Sequence, residues 1–385
     1  MRTVFGNVLF STVRVTGGQA EVVDRLNEIL SLNPTPGEFA ADKAIRHLEI
    51  VVNGSAVPDV RTFQDRRYEL FDQRCMRKIA EAVTRLPLPS INLNFRESEG
   101  AETPFDLYEL AQSIRRLGRY RPSRLQDIRL VTPQGDRSLD VKILIGALLS
   151  RCGNDGVRYL DVDSLNYLTL YGETLRYHTN ILGLYVGQQT KGFHVNTWMP
   201  EHEIRSLADN GFVFLQQLVF AGLYDPHPSP GFEEDGVYDF EVSINRISTS
   251  IKNGLPHLRY FAFCLMEGAM VRCSYQGQQY IDMMENLHHD NVQIVMKSIT
   301  YDALLQLPQL KQMCLLTRGS SFFRARRTME VGPVNVETVS YLSLPRGAFP
   351  LAIDRRLTVA SRYHARKVET ATVFPWLTGL DLFDE

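Results

Sequence analysis

The chain has 385 residues, 44% hydrophobic and 22% charged, with a formal net charge of -2. Those proportions belong to a core-forming protein and exclude the disordered, collagen-like and disulfide-scaffold classes. The near-neutral charge argues against a dedicated nucleic-acid binder and leaves room only for a local basic patch. The length fits two or three ordinary domains or one extended repeat domain.

Five cysteines, Cys75, Cys152, Cys264, Cys273 and Cys314, contain no CxxC pair and form no even-numbered framework, which suits a reducing compartment. Residues Met1 to Val15 lack the apolar stretch and small-residue cleavage site of a secretory signal. No run approaches the ~18 consecutive apolar residues of a membrane span, so the expected location is cytoplasmic or nuclear, away from the membrane.

In chain order, apolar residues recur at i, i+3 and i+5. The matches are Phe10/Val13/Val15, Ile45/Leu48/Ile50, Leu88/Ile91/Leu93, Leu125/Ile128/Leu130 and Val157/Leu160/Val162 in the first half. Leu215/Leu218/Phe220, Leu258/Phe261/Phe263, Leu310/Met313/Leu315, Val339/Leu342/Leu344 and Leu377/Leu380/Leu382 follow, with partial matches at Leu182/Leu184 and Val292/Ile294. In a strand the i+3 and i+5 side chains point to one face, and the residues between them point to the other.

Most intervals hold a helix-period segment: Val22, Val23, Leu26, Ile29 and Leu30; Met76, Ile79, Ala80 and Val83; Leu107, Leu110, Ile114 and Leu117; Ile244, Ile247 and Ile251. Three strands are led in by proline, in Leu255-Pro256-His257-Leu258, Leu307-Pro308-Gln309-Leu310 and Phe374-Pro375-Trp376-Leu377. Irregular loops are expected near 187–200 and 225–237, the second turn-rich through Pro226, Pro228, Pro230 and Gly231. These units predict one α/β solenoid over 1–385, of about eleven or twelve irregular repeats, with parallel strands on the concave face and helices outside.

Several passages resemble the leucine-rich-repeat region of F-box proteins of the kind abundant in filamentous fungi. Val8-Leu9-Phe10-Ser11-Thr12-Val13-Arg14-Val15 is similar to the strand that follows the F-box. Ile29-Leu30-Ser31-Leu32-Asn33-Pro34 with Ile45-Arg46-His47-Leu48-Glu49-Ile50 resembles the last helix and first repeat strand, and Leu255-Pro256-His257-Leu258 resembles the family's strand lead-in. The resemblance implies a substrate receptor of an SCF-type ubiquitin ligase. It departs from the family where the F-box itself, expected ahead of Val8, is not in this sequence.

The residue patterns point away from catalysis. No GxGxxG, GxxxxGK[ST], GxSxG or HExxH occurs, so no phosphate cradle, nucleophile elbow or zinc-protease pair is expected, nor any cofactor or metal. His288-His289-Asp290 reads as a helix end, because adjacent side chains on a helix diverge. His194 and His202, flanking Trp198, read as a polar loop.

Arg115, Arg116, Arg119, Arg121 and Arg124 read as the solvated C-terminal end of a helix from Phe105, where cations complement the dipole. Arg324, Arg326 and Arg327, behind Phe322 and Phe323, read as an exposed loop, with peptide contact as the functional alternative.

Instead, the outward strand positions carry the functional expectation. They are His47 and Glu49; Ser90, Asn92 and Asn94; Asp127 and Arg129; Tyr159 and Asp161; Gln217; and Tyr260. On a concave sheet they would form a protein-binding face, with tyrosine and arginine as anchors. Two alternatives stand beside this reading: a nucleic-acid binder using the Arg115–Arg124 cluster, and an α/β enzyme with an unrecognised site.

Overall fold

A computed structural model describes residues 12–31, 44–54, 65–96, 105–119, 125–132, 138–152, 156–162, 180–186, 200–209, 211–220, 237–264, 270–273, 279–282, 290–316, 321–327 and 333–340. It is mixed α/β and rich in parallel strands. The chain divides into two compact units, Met1–Leu160 and Asp161–Glu385.

The first unit alternates strand and helix: β1 (Thr12–Gly18), α1 (Gln19–Ser31), β2 (His47–Asn53), α2 (Asp65–Arg85), β3 (Ser90–Arg96), α3 (Leu107–Gly118), β4 (Asp127–Val131), α4 (Ser138–Leu149) and β5 (Tyr159–Val162), which crosses the boundary. The strands lie in sequence order, with β1, β2, β3 and β4 paired in parallel. Right-handed crossovers in an unreversed order put every helix on the same face of the sheet. Accordingly α1, α2, α3 and α4 pack each against the next.

The register aligns the i, i+3, i+5 motif across the strands. Val13, Leu48, Ile91 and Ile128 form one row; Val15, Ile50, Leu93 and Leu130 form another. Val15 and the six residues on β2–β4 are at most 1% exposed. The predicted helix stripes close over this face, with Val22, Leu26, Met76, Ile79, Ala80, Leu110 and Ile114 buried.

Successive strands begin with the same hydrogen bond. Ser90 N donates to Arg46 O (3.2 Å), Asp127 N to Pro89 O (3.0 Å) and Tyr159 N to Gln126 O (3.2 Å). Gly118 lets α4's end close onto α3: a Cβ there would meet Arg151 Cδ at 2.9 Å, and Arg151 donates to Gly118 O at 2.6 Å.

The second unit contains β6 (Gly183–Val186), α5 (Pro200–Asp209), β7 (Gln217–Phe220), β8 (Val237–Asp239), α6 (Phe240–Gly254), β9 (Tyr260–Cys264), β10 (Met270–Cys273), β11 (Gln279–Asp282), α7 (Asp290–Gln306), β12 (Gln312–Leu316), β13 (Ser321–Arg327) and β14 (Val334–Ser340). Strands β6, β7, β9 and β12 are parallel; β13 and β14 continue the sheet antiparallel, while β8, β10 and β11 form a small separate sheet. The starting bond recurs, from Gln217 N to Leu182 O (3.0 Å), Tyr260 N to Gln216 O (3.0 Å) and Gln312 N to Arg259 O (3.2 Å).

Among the described residues neither unit shows the reversal of strand order on which a doubly wound sheet depends. Within Leu255–Leu258 and Leu307–Leu310, proline occupies the second position of a turn closed by Leu258 N to Leu255 O (3.1 Å) and Leu310 N to Leu307 O (3.0 Å). The prolines therefore act one step before the strand.

Four local expectations need correction. Val292 and Ile294 belong to helix α7 rather than to a strand, and Ile294 is 51% exposed. Arg324, Arg326 and Arg327 lie on strand β13, held by pairing to β12 and β14. His202 sits in α5, which starts at Pro200, a residue suited to the first helical turn. Val237, assigned to the second loop, begins β8.

Residues 187–199, with His194 and Trp198, lie outside the described residues, as do 221–236, His288, His289 and 341–385.

Candidate functional site: the polar face of the sheet

Side chains alternate across a strand, so the apolar rows on the helix side leave a polar set on the other. In the first unit it comprises two rows. One contains the first residues of the strands, Thr12, His47, Ser90 and Asp127, with Tyr159 next through its backbone bond to Gln126. The second, two residues on, contains Arg14, Glu49, Asn92 and Arg129.

The second row is a polar ladder. Arg14 Nε stands 3.3 Å from Glu49 Oε2, and Asn92 Nδ2 donates to Glu49 Oε1 at 3.2 Å. Glu49 is 1% exposed, Asn92 0% and Arg129 1%; the Arg14 side chain keeps 31%. Strands about 4.8 Å apart bring the members of a row into lateral contact, and each helps shield the next. Asn92 Oδ1 is buried without a hydrogen-bond partner, at a cost of order 1–3 kcal/mol.

Burial corrects the expectation that all these positions face water. Glu49, Ser90, Asn92, Asn94, Arg129 and, in the second unit, Gln217 are buried. His47, Asp127, Tyr159 and, in the second unit, Tyr260 are half-buried. Asp161 lies on β5, and its side chain is outside the described residues. In the second unit Gln217, Tyr260 and Gln312 share one row.

At the β4–β5 end the first row gathers charge. Burial pushes the Asp127 carboxyl up to about 6, against the opposing pull of Arg158. The Arg158 guanidinium lies 5.8 Å from the centroid of the Tyr159 ring, a cation–π approach. Cys152 is raised to about 12 by burial and by the charge of Asp127, with Arg151 opposing, so its thiol stays protonated at neutral pH. At the other end, burial and then Arg46 lower His47, which favours the neutral imidazole. The row thus presents a neutral imidazole, a carboxyl that titrates near pH 6, and a tyrosine beneath an arginine.

Arg14, Arg158 and Gln312 were missed from the sequence. Arg14 and Gln312 occupy the same outward positions in their repeats as the residues selected, so the rule that found Glu49 and Tyr260 also reaches them. Arg158 precedes its strand by one residue, and no spacing rule marks it.

The helix side carries a second charged feature. Arg115 and Arg116 occupy the last turn of α3, which Asp106 caps at its start by accepting from Glu109 N, and Arg119 forms the C-cap. This matches the solvated helix end expected of them; Arg121 and Arg124 lie outside the described residues. No group of three or more histidine, cysteine or acidic residues among the described residues could hold a metal ion, and no described helix is long and apolar enough to cross a membrane.

Comparison with protein-family models gives no match, and comparison with curated protein sequences gives none.

Proposed function

We propose that the chain is a leucine-rich-repeat-like solenoid that recognises another protein through the polar face of its sheet. The carrying observation is the pair of polar rows on strictly sequential parallel strands in the first unit, opposite an apolar, helix-covered face. A sheet side built for stability alone gains little from Glu49, Asn92 and Arg129 in its interior, where each charge or amide pays desolvation. As a support the ladder has a use: it fixes the strands beneath His47, Asp127 and Tyr159, which stay partly accessible. Tyrosine and arginine side by side, as at Tyr159 and Arg158, combine contact area with hydrogen-bonding ends, the chemistry of interface anchors.

The resemblance to F-box leucine-rich-repeat proteins extends this proposal to substrate recognition for an SCF-type ubiquitin ligase, with recognition rather than catalysis as the chain's work and a cytoplasmic or nuclear setting. Co-expression of the ligase's adaptor subunit with the chain as its gene encodes it, together with any F-box ahead of Val8, tests that extension. Stoichiometric co-purification is expected if it holds. Failure to co-purify removes the ligase role and leaves protein recognition to be judged on the sheet face.

A further inference from the structure

The outer face of α2 carries Arg74, Arg77, Lys78, Glu81 and Arg85, spaced three, four, seven and eleven residues from the first, which places them along one side of the helix. With Arg116 and Leu117 of α3, and with Gln73 and Thr84, they line a cleft of about 510 Å³. Five of the nine lining residues are cations and one is an acid, in a chain whose net charge is -2.

The internal pairing is partial. Arg77 Nε bonds to Glu109 Oε1 at 2.8 Å, while Lys78 and Arg85 share the Glu81 carboxylate at 2.5 and 2.6 Å. Among the described residues Arg74 has no carboxylate partner, and Arg116 reaches Ser113 Oγ at 3.4 Å. Burial pushes Glu81 up, but hydrogen bonds from Lys78 and Arg85 and their charges outweigh it, so this carboxyl lies below its usual value and is charged at neutral pH. The same balance holds Glu109 low, through Arg77, Ser113 and Arg116.

We propose that this cleft between α2 and α3 docks an acidic segment of a protein partner in extended conformation. The cationic stripe from Arg74 to Arg85 is ~16 Å long at helical rise, the reach of about five extended residues. Arg74 and Arg116 offer guanidinium forks that match carboxylates. Leu117, 38% exposed, gives an apolar residue of the segment somewhere to rest, and Gln73 supplies a polar side chain along the same cleft.

A nucleic-acid strand fits less well. Glu81 stands inside the stripe and would repel a continuous run of phosphates, and among the described residues no aromatic side chain lines the cleft to stack a base.

The inference rests on the protein-recognition reading but uses the helix side, so substitutions here leave the sheet face intact. The test is fluorescence anisotropy of the full chain with a labelled decapeptide of alternating glutamate and leucine, beside its glutamine counterpart and a single-stranded DNA decamer. The acidic peptide is expected to bind and the glutamine peptide not to. Combined Arg74→Glu and Arg116→Glu should weaken binding by at least about tenfold, and Arg115→Glu, on the same helix outside the cleft, should leave it within about twofold. Arg74→Gln alone, removing an exposed cation that has no carboxylate partner among the described residues, should show a smaller loss with an unchanged circular dichroism spectrum. The proposal is overturned if the acidic peptide does not bind, if the double reversal binds it equally, or if the DNA binds more tightly with the same arginine dependence.

Discussion

Asp127 couples the candidate face to pH. Its carboxyl lies near 6 in the folded chain against 3.8 for the free group, raised by burial, so between those values the folded state holds more protons than the unfolded state. Stability therefore falls as pH rises from about 4 to about 6, by about 2 kcal/mol after allowing for the group's partial exposure. Asp127→Asn removes this term. Urea unfolding should show the variant gaining on the parent between pH 4 and pH 7; a difference between them that does not change with pH would refute the burial account. A natural chain that keeps a carboxylate where asparagine would be more stable is consistent with Asp127 being retained for a contact.

The split within the outward residues is also a residue-scale effect that the sequence could not show. Alternation correctly put Glu49, Asn92 and Arg129 on the face away from the helices. It carries no information on how far each side chain is shielded by neighbours contributed from strands about forty residues away. Arg158 was invisible for a related reason, since its significance comes from Tyr159 and Asp127 around it.

At the scale of elements, the strands were legible because their motif has a fixed phase. Each of β2, β3, β4 and β5 starts two residues after the first apolar position of its match. The helices with a clear stripe, α1, α2 and α3, were legible too. Helix α4 was not, because Ser138–Leu149 is apolar nearly all round and shows no period. Strand β13 escaped because its arginines resemble a surface loop, whereas Arg324 is 5% exposed and Glu337 of β14 bonds both Arg324 and Arg326.

In the second unit α5 and α6 approach at Gly254, where an added Cβ would lie 2.0 Å from Ala208 Cβ and 3.0 Å from its Cα. Neither atom is the end of a flexible chain, so the helices must separate. Gly254→Ala should cost roughly 1–3 kcal/mol of stability, visible as a lower urea midpoint with an unchanged slope. A midpoint equal to that of the parent would mean that the helices are not held at this distance.

For the whole molecule, the proposed protein-binding surface is the polar face of the sheet, with His47, Asp127 and Tyr159 as half-buried anchors over a buried ladder. The alternation of strand and helix was readable along the chain, and so was the side on which polar residues fall. What the partner is was not, because recognition depends on side chains brought together from separate repeats.

The most direct measurement is quantitative affinity capture by the full chain from its source extract, compared with Tyr159→Ala combined with His47→Ala and with Arg115→Glu as control. The account predicts a protein held in stoichiometric amount by the parent and the control and reduced about tenfold or more by the sheet-face substitutions, with all three chains equally folded. An identical captured set from all three would contradict it.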